Sequence, residues 1–390
     1  MARSRCASLL MMLMPLMPPA ACTAGDEAQT AGEVGPSTGS QPSVPTSSGG
    51  VDSSSGAQTG IETSVETGVD TSGDGPVDPT GTTTSDDSGT ADTPSTGDTE
   101  DPPLGSLELE SILDTNAVVA TKGMDVDSLG NVFLWNYNQD DLERYDGMVL
   151  ETLVAASFTT SFGTDLSVDG NGDVIVSRGG STVGESLMKW DGTTGAPLWG
   201  ANGILMPDAL LLGLTHATVD GTEHVYVCDG AATGGSIHRL ARADGALIES
   251  LPVHDTPLDV AVDEDQNYYV LASTSSNPVV SGDPVQLRKY DAAGTVIAGP
   301  VELSDAVYIT LADNGLLYVS STDFEMPTRS IISLTAELMP LSVTELPPEY
   351  EGFSGGITST GSGADMRILI TAQEGVGSGP ICDVLVYREP

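Results

Sequence analysis

The sequence predicts an all-β fold of six four-stranded antiparallel sheets in a closed ring, preceded by a long segment without regular structure. One hairpin motif recurs six times, at intervals of 42 to 51 residues. A second pair of strands follows each of the first five copies, with no helical segment between them. The sixth copy lacks its fourth strand, and a spare strand stands at the start of the folded region. This pattern is typical of a six-bladed β-propeller.

The clearest copy of the hairpin is TPLDVAVDEDQNYYVLAS, residues 256–273. Val260 and Val262 alternate with their neighbours, a polar turn follows at 263–267, and the apolar run YYVLAS comes next. Period-two alternation, β-branched residues and an acidic turn indicate two antiparallel strands. Related hairpins begin at 123, 163, 216, 308 and 356, and the aligned apolar positions are Val126, Val168, Val219, Val262 and Leu311, with Ser359 in the weakest copy.

The two ends of the folded region complete each other. The chain ends in DVLVYREP, which supplies the third strand of the last blade, and LELESILDT at residue 107 resembles the fourth strand MVLETLVAA of the first. We therefore expect the N-terminal strand to complete the sixth blade, which closes the ring and covers two sheet edges. A single two-layer sandwich would explain many strands but not six recurrences of one hairpin.

The first 22 residues resemble a bacterial export signal. Two arginines precede an apolar run at 9–17 that is too short to span a bilayer as a helix. Small residues lead up to Cys22, as at lipoprotein cleavage sites, although Pro19 replaces the usual Leu. We expect lipidation of Cys22 and an outer-membrane-anchored lipoprotein of the bacterial cell envelope. Cleavage near Ala21 or Ala24, with free secretion, is the alternative.

Residues 23–104 have the composition of a disordered linker. They contain 15 acidic residues and no Phe, Tyr, Trp, Lys or Arg. Such a segment cannot bury enough apolar surface to offset its ordering entropy, and its charges repel one another. As a random coil it would hold a domain roughly 50 Å from its anchor. The predicted organisation is therefore a signal at 1–22, a linker at 23–104 and a propeller at 105–390.

The charge of the chain limits its partners. The formal net charge is −43, of which residues 105–390 carry −30. Because nucleic acid and anionic lipid would be repelled, we expect no nucleic-acid partner and contact with the membrane only through the lipid anchor. We expect a monomer that binds an unknown protein, peptide or glycan on a face of the propeller.

The hairpins resemble the NHL-type repeat, whose usual form is Pro-x-Gly-Ile-Ala-Val-Asp, a turn, and an aliphatic strand. The copy at 256–273 matches it at Pro257, Val260, Ala261, Val262 and Asp263, and the copy at 123 matches it at Gly123, Val126, Asp127, Gly130 and Asn131. The resemblance covers about residues 105 to 390. It implies a six-bladed propeller, a fold that serves as lactonase, lyase, receptor and scaffold.

In propellers similar to this one, the first strand of each blade lines the central channel. Three residues before the aligned apolar positions lie Gly123, Asp165, His216, Asp259, Tyr308 and Gly356. Gly is the commonest family residue there, so the four others are predicted ligand or metal candidates at the channel mouth. Two carboxylates and an imidazole suit a divalent cation such as Ca²⁺ or Zn²⁺. The alternative is that Asp165 and Asp259 only cap neighbouring backbone amides, in which case no cofactor is needed.

Two cysteines remain in the predicted propeller, Cys228 and Cys382. The blade assignment places them in blades three and six, on opposite sides of the ring. Their Cα atoms should lie beyond the ~7 Å limit for a disulfide, so we expect two thiols.

Two classes of function agree with these features. The first is an envelope-tethered binding or scaffold module, favoured by the linker, the acidity and the incomplete catalytic constellation. The second is an exported metal-dependent hydrolase or lyase, similar to a lactonase, with its site at the channel mouth. Neither the ligand nor any catalytic residue follows from the sequence.

Overall fold

The computed structural model describes the greater part of the predicted propeller. The described residues are 103–117, 121–136, 139, 141–155, 162–179, 185–200, 203–206, 210–230, 235–274, 284–303, 305–322, 329–350, 354–374 and 382–390. All of them belong to one compact unit, Asp92–Pro390. The predicted signal at 1–22 and all but the last two residues of the linker at 23–104 lie outside the described residues.

Six four-stranded antiparallel sheets make up the fold, as the sequence predicts. Blade one contains β2 (Thr121–Val126), β3 (Val132–Asn136), β4 (Asp141–Tyr145) and β5 (Leu150–Val154). Blade two contains β6 (Phe162–Val168), β7 (Val174–Gly179), β8 (Glu185–Trp190) and β9 (Ile204–Met206). Blade three contains β10 (Leu211–Val219), β11 (Thr222–Asp229), β12 (Ser236–Ala241) and β13 (Leu247–Pro252).

The remaining three blades repeat the arrangement. Blade four contains β14 (Thr256–Val262), β15 (Tyr268–Ser273), β16 (Val285–Tyr290) and β17 (Val296–Leu303). Blade five contains β18 (Ala306–Leu311), β19 (Leu317–Thr322), β20 (Arg329–Leu334) and β21 (Pro340–Glu345). Blade six contains β22 (Ser354–Thr360), a short 3-10 turn (Gly363–Asp365), β23 (Arg367–Gln373), β24 (Cys382–Arg388) and β1 (Glu108–Ala117).

The N-terminal strand completes blade six, which confirms the predicted closure. Strand β1 pairs antiparallel with β24, and Glu108 lies opposite Arg388. Near the other end of the pair, the Thr115 hydroxyl donates to the backbone carbonyl of Cys382 at 2.7 Å. The first strands of neighbouring blades contact one another all the way around the ring, so β2 lies between β22 and β6. This closure positions the axial residues described below.

The core lies between neighbouring blades. Trp135 of blade one stacks on Trp190 of blade two, with ring centroids 6.2 Å apart. Tyr226 of blade three meets Tyr268 of blade four edge-on, with centroids 5.7 Å apart. Aromatic pairs with these geometries contribute about 0.5–1.5 kcal/mol beyond their burial. The aromatic residues of the second and third strands therefore hold the sheets face to face.

Aspartates close the first hairpins, as their sequence pattern predicts. In blade four, Asp263 Oδ1 accepts a hydrogen bond from the backbone N–H of Asn267 at 2.7 Å. In blade one, Asp127 Oδ1 accepts from the backbone N–H of Asn131 at 2.9 Å. Asp side chains favour such turns because they satisfy backbone amides locally.

Blade three departs from the predicted alignment. Its first hairpin is longer than the others and ends in a two-residue turn at Asp220 and Gly221, whose φ angles are 52° and 70°. The pair Val219 and Asp220, which the alignment matches with Val262 and Asp263 of blade four, is therefore not equivalent to it in the structure. His216, rather than Val219, takes the place of the aligned apolar residue, and Gly213 takes the place predicted for His216. The predicted register of this blade is therefore wrong by three residues.

The two cysteines lie where the blade assignment puts them. Cys228 is in β11 and Cys382 begins β24, and both are buried thiols that form no disulfide, as predicted. Within the described part of the chain, no helix has the length and apolar character needed to cross a membrane.

Candidate functional site

The first strands present two levels of side chains along the axis. All six have a register shift near their start, and the upper ring is formed by the last residue within the shift or the first residue after it. The upper ring contains Gly123, Asp165, Gly213, Asp259, Tyr308 and Gly356. Because side chains on one face of a strand recur every second residue, a lower ring lies two positions further on. The lower ring contains Asp125, Ser167, Thr215, Ala261, Thr310 and Thr358.

The equivalence of Gly213 and Gly123 follows from their contacts. A Cβ atom added to Gly123 would lie 2.9 Å from the Cα of Asp165 in the next blade. A Cβ atom added to Gly213 would lie 2.6 Å from the Cα of Asp259 in the next blade. Both glycines therefore allow the aspartate of the following blade to approach closely, and Gly alternates with Asp over these four blades.

Each axial aspartate joins its own blade to the next one. The Oδ1 atom of Asp259 accepts from the backbone N–H of Val260 at 2.8 Å, and its Oδ2 atom accepts from Ile309 in blade five at 2.8 Å. The carboxylate of Asp165 likewise accepts from Leu166 at 2.9 Å and from Leu214 in blade three at 2.9 Å. Both aspartates therefore accept hydrogen bonds from backbone amides of their own blade and of the next one.

A third carboxylate, Asp125 in the lower ring, makes the same kind of bridge. It accepts from the backbone N–H of Val126 at 2.8 Å and from that of Val168 in blade two at 2.7 Å. The hydroxyl of Thr358 in blade six donates to it at 2.6 Å. Asp125 thus connects three blades, which the sequence reasoning missed because it considered the upper ring alone. The polar residues two positions beyond the upper ring were the available signal.

Asp165, Asp259 and Tyr308 of the upper ring border one axial cavity of about 40 Å³. Its lining residues are Met124, Asp125, Asp165, Leu166, Ser167, Leu214, Thr215, Asp259, Tyr308, Ile309, Thr310, Ile357 and Thr358. A volume of this size holds roughly three water-sized groups. The lining side chains supply many acceptor oxygens. None of the lining residues is basic, so no positive charge among them compensates the carboxylates.

Burial changes the protonation of the upper ring. Asp259 is 3% exposed, and burial raises its pKa to about 8. Burial also raises the pKa of Asp165 well above its ordinary value, and the nearby charge of Asp259 adds to this effect. The pKa of the Tyr308 phenol is raised by burial and by both carboxylates, so the phenol stays neutral. The two buried carboxyls therefore resist carrying two full charges near neutral pH.

Tyr308 is distinct among the residues around the cavity. It is 7% exposed, and no hydrogen bond joins its hydroxyl to another described residue. Unlike the hydroxyl of Tyr387, which is fully enclosed, the Tyr308 hydroxyl is reachable from the cavity. Burial and the negative charges of Asp165 and Asp259 both disfavour ionisation of this phenol and raise its pKa. A buried phenol normally has a hydrogen-bond partner. The Tyr308 hydroxyl therefore offers both a donor and an acceptor to whatever enters the cavity.

His216 does not join these residues. Its Nδ1 atom lies 2.7 Å from the hydroxyl oxygen of Ser167, and its Nε2 atom lies 3.9 Å from Glu223 Oε1. Ser167 also donates to Asp125 Oδ2 at 3.2 Å. A serine beside a histidine is the start of a nucleophilic site. Here the serine is buried, faces a carboxylate that would oppose an oxyanion, and borders a cavity too small for an ester, so these contacts favour a structural role.

A buried ion-pair network continues outward from His216. Arg242 lies 2.9 Å from Glu223 and 3.7 Å from Asp169, and Lys189 lies 2.6 Å from Asp169. Both partners of the last pair are almost fully buried. These contacts join the turn and third strand of blade two to blade three. They satisfy one another, which leaves them little capacity for a ligand.

The groups that could hold a metal ion are limited. Among the described residues, no three His, Cys, Asp or Glu side chains are placed to ligate one ion together. Each carboxylate oxygen of Asp165 and Asp259 already accepts a hydrogen bond from a backbone N–H group. The binding of Ca²⁺ or Zn²⁺ at Asp165, His216, Asp259 and Tyr308 stays a prediction, with His216 separated from the other three.

Cys228 lies behind the upper ring but is not a nucleophile. Burial raises the pKa of its thiol well above the ordinary value, and the charges of Asp259 and Asp165 add to that effect. Because the thiolate is the reactive form, a buried thiol with a raised pKa is inert.

Comparisons with known proteins support the fold. No protein-family model and no curated protein sequence matches the chain. The PQQ-bound aldose sugar dehydrogenase of Streptomyces coelicolor covers 74% of this chain and 99% of its own, at 15% identity and a TM-score of 0.53. A gluconolactonase of Xanthomonas campestris covers 74% of this chain and 91% of its own, at 16% identity and a TM-score of 0.50. At these identities the likeness shows a common fold and no more.

Proposed function

We propose that the chain is an envelope-tethered β-propeller with NHL-like repeats that binds a ligand at its axial cavity. In this proposal residues 1–22 direct export, Cys22 carries the lipid that anchors the protein to the outer membrane, and residues 23–104 hold the propeller away from the membrane. Free secretion after cleavage near Cys22 is the alternative. The negative charge of residues 105–390 supports a monomer that avoids nucleic acid and anionic lipid surfaces.

One observation carries the binding function: beside carboxylates that are already held in place, the cavity has a phenol that no other described residue hydrogen-bonds. The interblade hydrogen bonds of Asp165 and Asp259 fix the shape of the cavity. Tyr308 then supplies a hydroxyl that borders the cavity and has no hydrogen-bond partner among the described residues, which is what a preformed binding site provides. The ligand is a protein, peptide or glycan with a polar group that reaches this hydroxyl.

The experiment is a binding screen of the full-length chain on peptide and glycan arrays. We compare the wild type with Tyr308→Phe and with Tyr387→Phe. Tyr387 is a matched control because its hydroxyl is also without a partner in the described part of the chain, yet it does not line the cavity. The proposal expects saturable binding to one class of probe that Tyr308→Phe weakens and Tyr387→Phe does not. Binding to no probe, or equal loss in both variants, contradicts it.

A second candidate is an exported metal-dependent hydrolase or lyase, similar to a lactonase. The fold shared with a gluconolactonase favours this candidate. It requires Asp165 or Asp259 to exchange a backbone amide for a metal ion. Metal-dependent hydrolysis of a lactone by the full-length chain would replace the binding function with this one.

A further inference from the structure

The axial cavity is lined by acceptors from all six blades, and none of its lining residues is basic. Carboxylates come from β2, β6 and β14, and the phenol of Tyr308 comes from β18. The hydroxyls of Ser167, Thr215, Thr310 and Thr358 line the same space. Every carboxylate oxygen of Asp165 and Asp259 accepts one backbone amide and keeps one lone pair for another donor. The cavity therefore offers many acceptors for a ligand that carries several donors.

We infer that this cavity binds a primary ammonium group, which donates to the oxygens of Asp165, Asp259 and Tyr308. This inference rests on the proposed binding function and names the chemistry of the ligand. A primary ammonium group has three N–H donors and no acceptor, which matches a pocket lined by oxygens. The Tyr308 hydroxyl oxygen accepts a hydrogen bond from one of these N–H groups, and its own proton points toward a carboxylate.

The size and the ligand geometry favour an ammonium head over larger or more demanding cations. A cavity of about 40 Å³ admits an ammonium head and a short length of methylene chain. A quaternary ammonium is larger and has no N–H to donate. A divalent metal needs several charged ligands at short distance, and no three such groups converge among the described residues. Hydrogen bonds to an ammonium group require only acceptors that stand around the cavity.

The titration of the upper ring supports the same ligand. Burial raises the pKa of Asp259 to about 8, so without a cation this carboxyl is largely protonated at neutral pH. A bound cation favours the ionised carboxylate, and the displaced proton passes to solvent. Alkylammonium groups keep their charge because their pKa is about 10. Binding should therefore tighten as the pH rises from 6 toward 8 and then change little up to about 9.

The test is a calorimetric titration of the full-length chain with methylammonium chloride at constant ionic strength. Tetramethylammonium and potassium chloride serve as size and charge controls. We expect methylammonium to bind, and Tyr308→Phe to weaken it about tenfold or more because a hydrogen bond to a charged group is lost. Tyr387→Phe should bind as the wild type does. The Tyr308 variant should fold, because the deleted hydroxyl borders a cavity and no hydrogen bond joins it to another described residue.

Several outcomes overturn the inference. It is wrong if methylammonium does not bind, if tetramethylammonium or potassium binds equally well, or if both tyrosine variants lose affinity alike. Ammonium and butylammonium distinguish the source of the group: tighter binding of butylammonium indicates the end of a larger amine, and tighter binding of ammonium indicates the free ion. If a ligand is found on the arrays but methylammonium does not bind, this inference is wrong and the proposed function stands. If methylammonium binds but no ligand is found on the arrays, only the proposal of a macromolecular ligand is wrong.

Discussion

Replacing Asp259 with alanine tests whether the axial carboxylates hold neighbouring blades together. The substitution leaves two buried amides, those of Val260 and Ile309, without the acceptor that now lies 2.8 Å from each. An unsatisfied buried donor costs about 1–3 kcal/mol, so two cost about 2–6 kcal/mol. Part of this cost is offset, because the variant also removes a buried acid that repels Asp165. We expect a net loss of about 2–4 kcal/mol in the free energy of unfolding.

Thermal unfolding of the full-length chain, followed by circular dichroism, measures this loss. The expected decrease in Tm is roughly 5–15 °C for a domain of this size. Asp291→Ala is the matched control, because Asp291 accepts from the amides of Ala293 and Thr295 at 3.0 and 2.8 Å in an exposed turn of the same blade. Water replaces the acceptor there, so we expect about 1 kcal/mol or less. Equal decreases in Tm for both variants would refute the interblade role of Asp259.

Three further predictions follow from the same structure and from the start of the chain. The pKa of Asp259 is about 8 in the folded chain and about 4 in the unfolded chain, so its carboxyl stabilises the fold fully below pH 4 and this contribution is lost as the pH rises through 8. Urea unfolding should therefore show the wild type losing stability relative to Asp259→Asn over that range. A constant difference between the two proteins contradicts the raised pKa. Gly213→Ala should destabilise the chain by several kcal/mol, because its Cβ would lie 2.3 Å from Asp259 Oδ1 and 2.5 Å from the carbonyl oxygen of Leu258; Gly170→Ala, which meets only the end of the Glu223 side chain at 3.2 Å, should cost much less in the same melts. Cys22→Ser should abolish incorporation of labelled palmitate and release the protein from the membrane fraction, and unchanged fractionation would show that Cys22 is not the anchor.

The sequence was sufficient for the architecture because each blade repeats one local pattern. Alternating apolar residues and a polar turn mark the first hairpin of five blades, and the spare strand at residue 107 identifies the closure of blade six. These are local signals that tertiary contacts only reinforce. Asp165 and Asp259 could also be found, because each stands where the repeat usually has Gly.

The register of blade three could not be found in the same way. The pair Val219 and Asp220 looks like the start of the turn in other blades, yet it lies at the end of a longer hairpin. A turn of two residues and a turn of five can follow the same apolar pattern, so the sequence does not fix the position of His216. The interblade hydrogen bonds of Asp125 were equally hidden, because they join residues 43 positions apart.

The Tyr308 hydroxyl has no hydrogen-bond partner within the described ranges, and this is a property of the packed ring. The sequence shows a tyrosine at an axial position, but its burial and its lack of a partner depend on which side chains the other blades bring to the cavity. Only the closed arrangement of β6, β14 and β18 determines both.

Measuring metal content and turnover in the same protein decides what the axial aspartates do. The claim is that Asp165 and Asp259 bind backbone amides and shape a binding cavity, rather than hold a catalytic metal. Full-length wild type and Asp259→Ala are incubated with Ca²⁺ or Zn²⁺, freed of unbound ions, and examined by elemental mass spectrometry and by lactone hydrolysis. We expect far less than one ion per chain in both proteins and no hydrolysis above buffer. One ion per wild-type chain, lost in the variant together with metal-dependent hydrolysis, would contradict it.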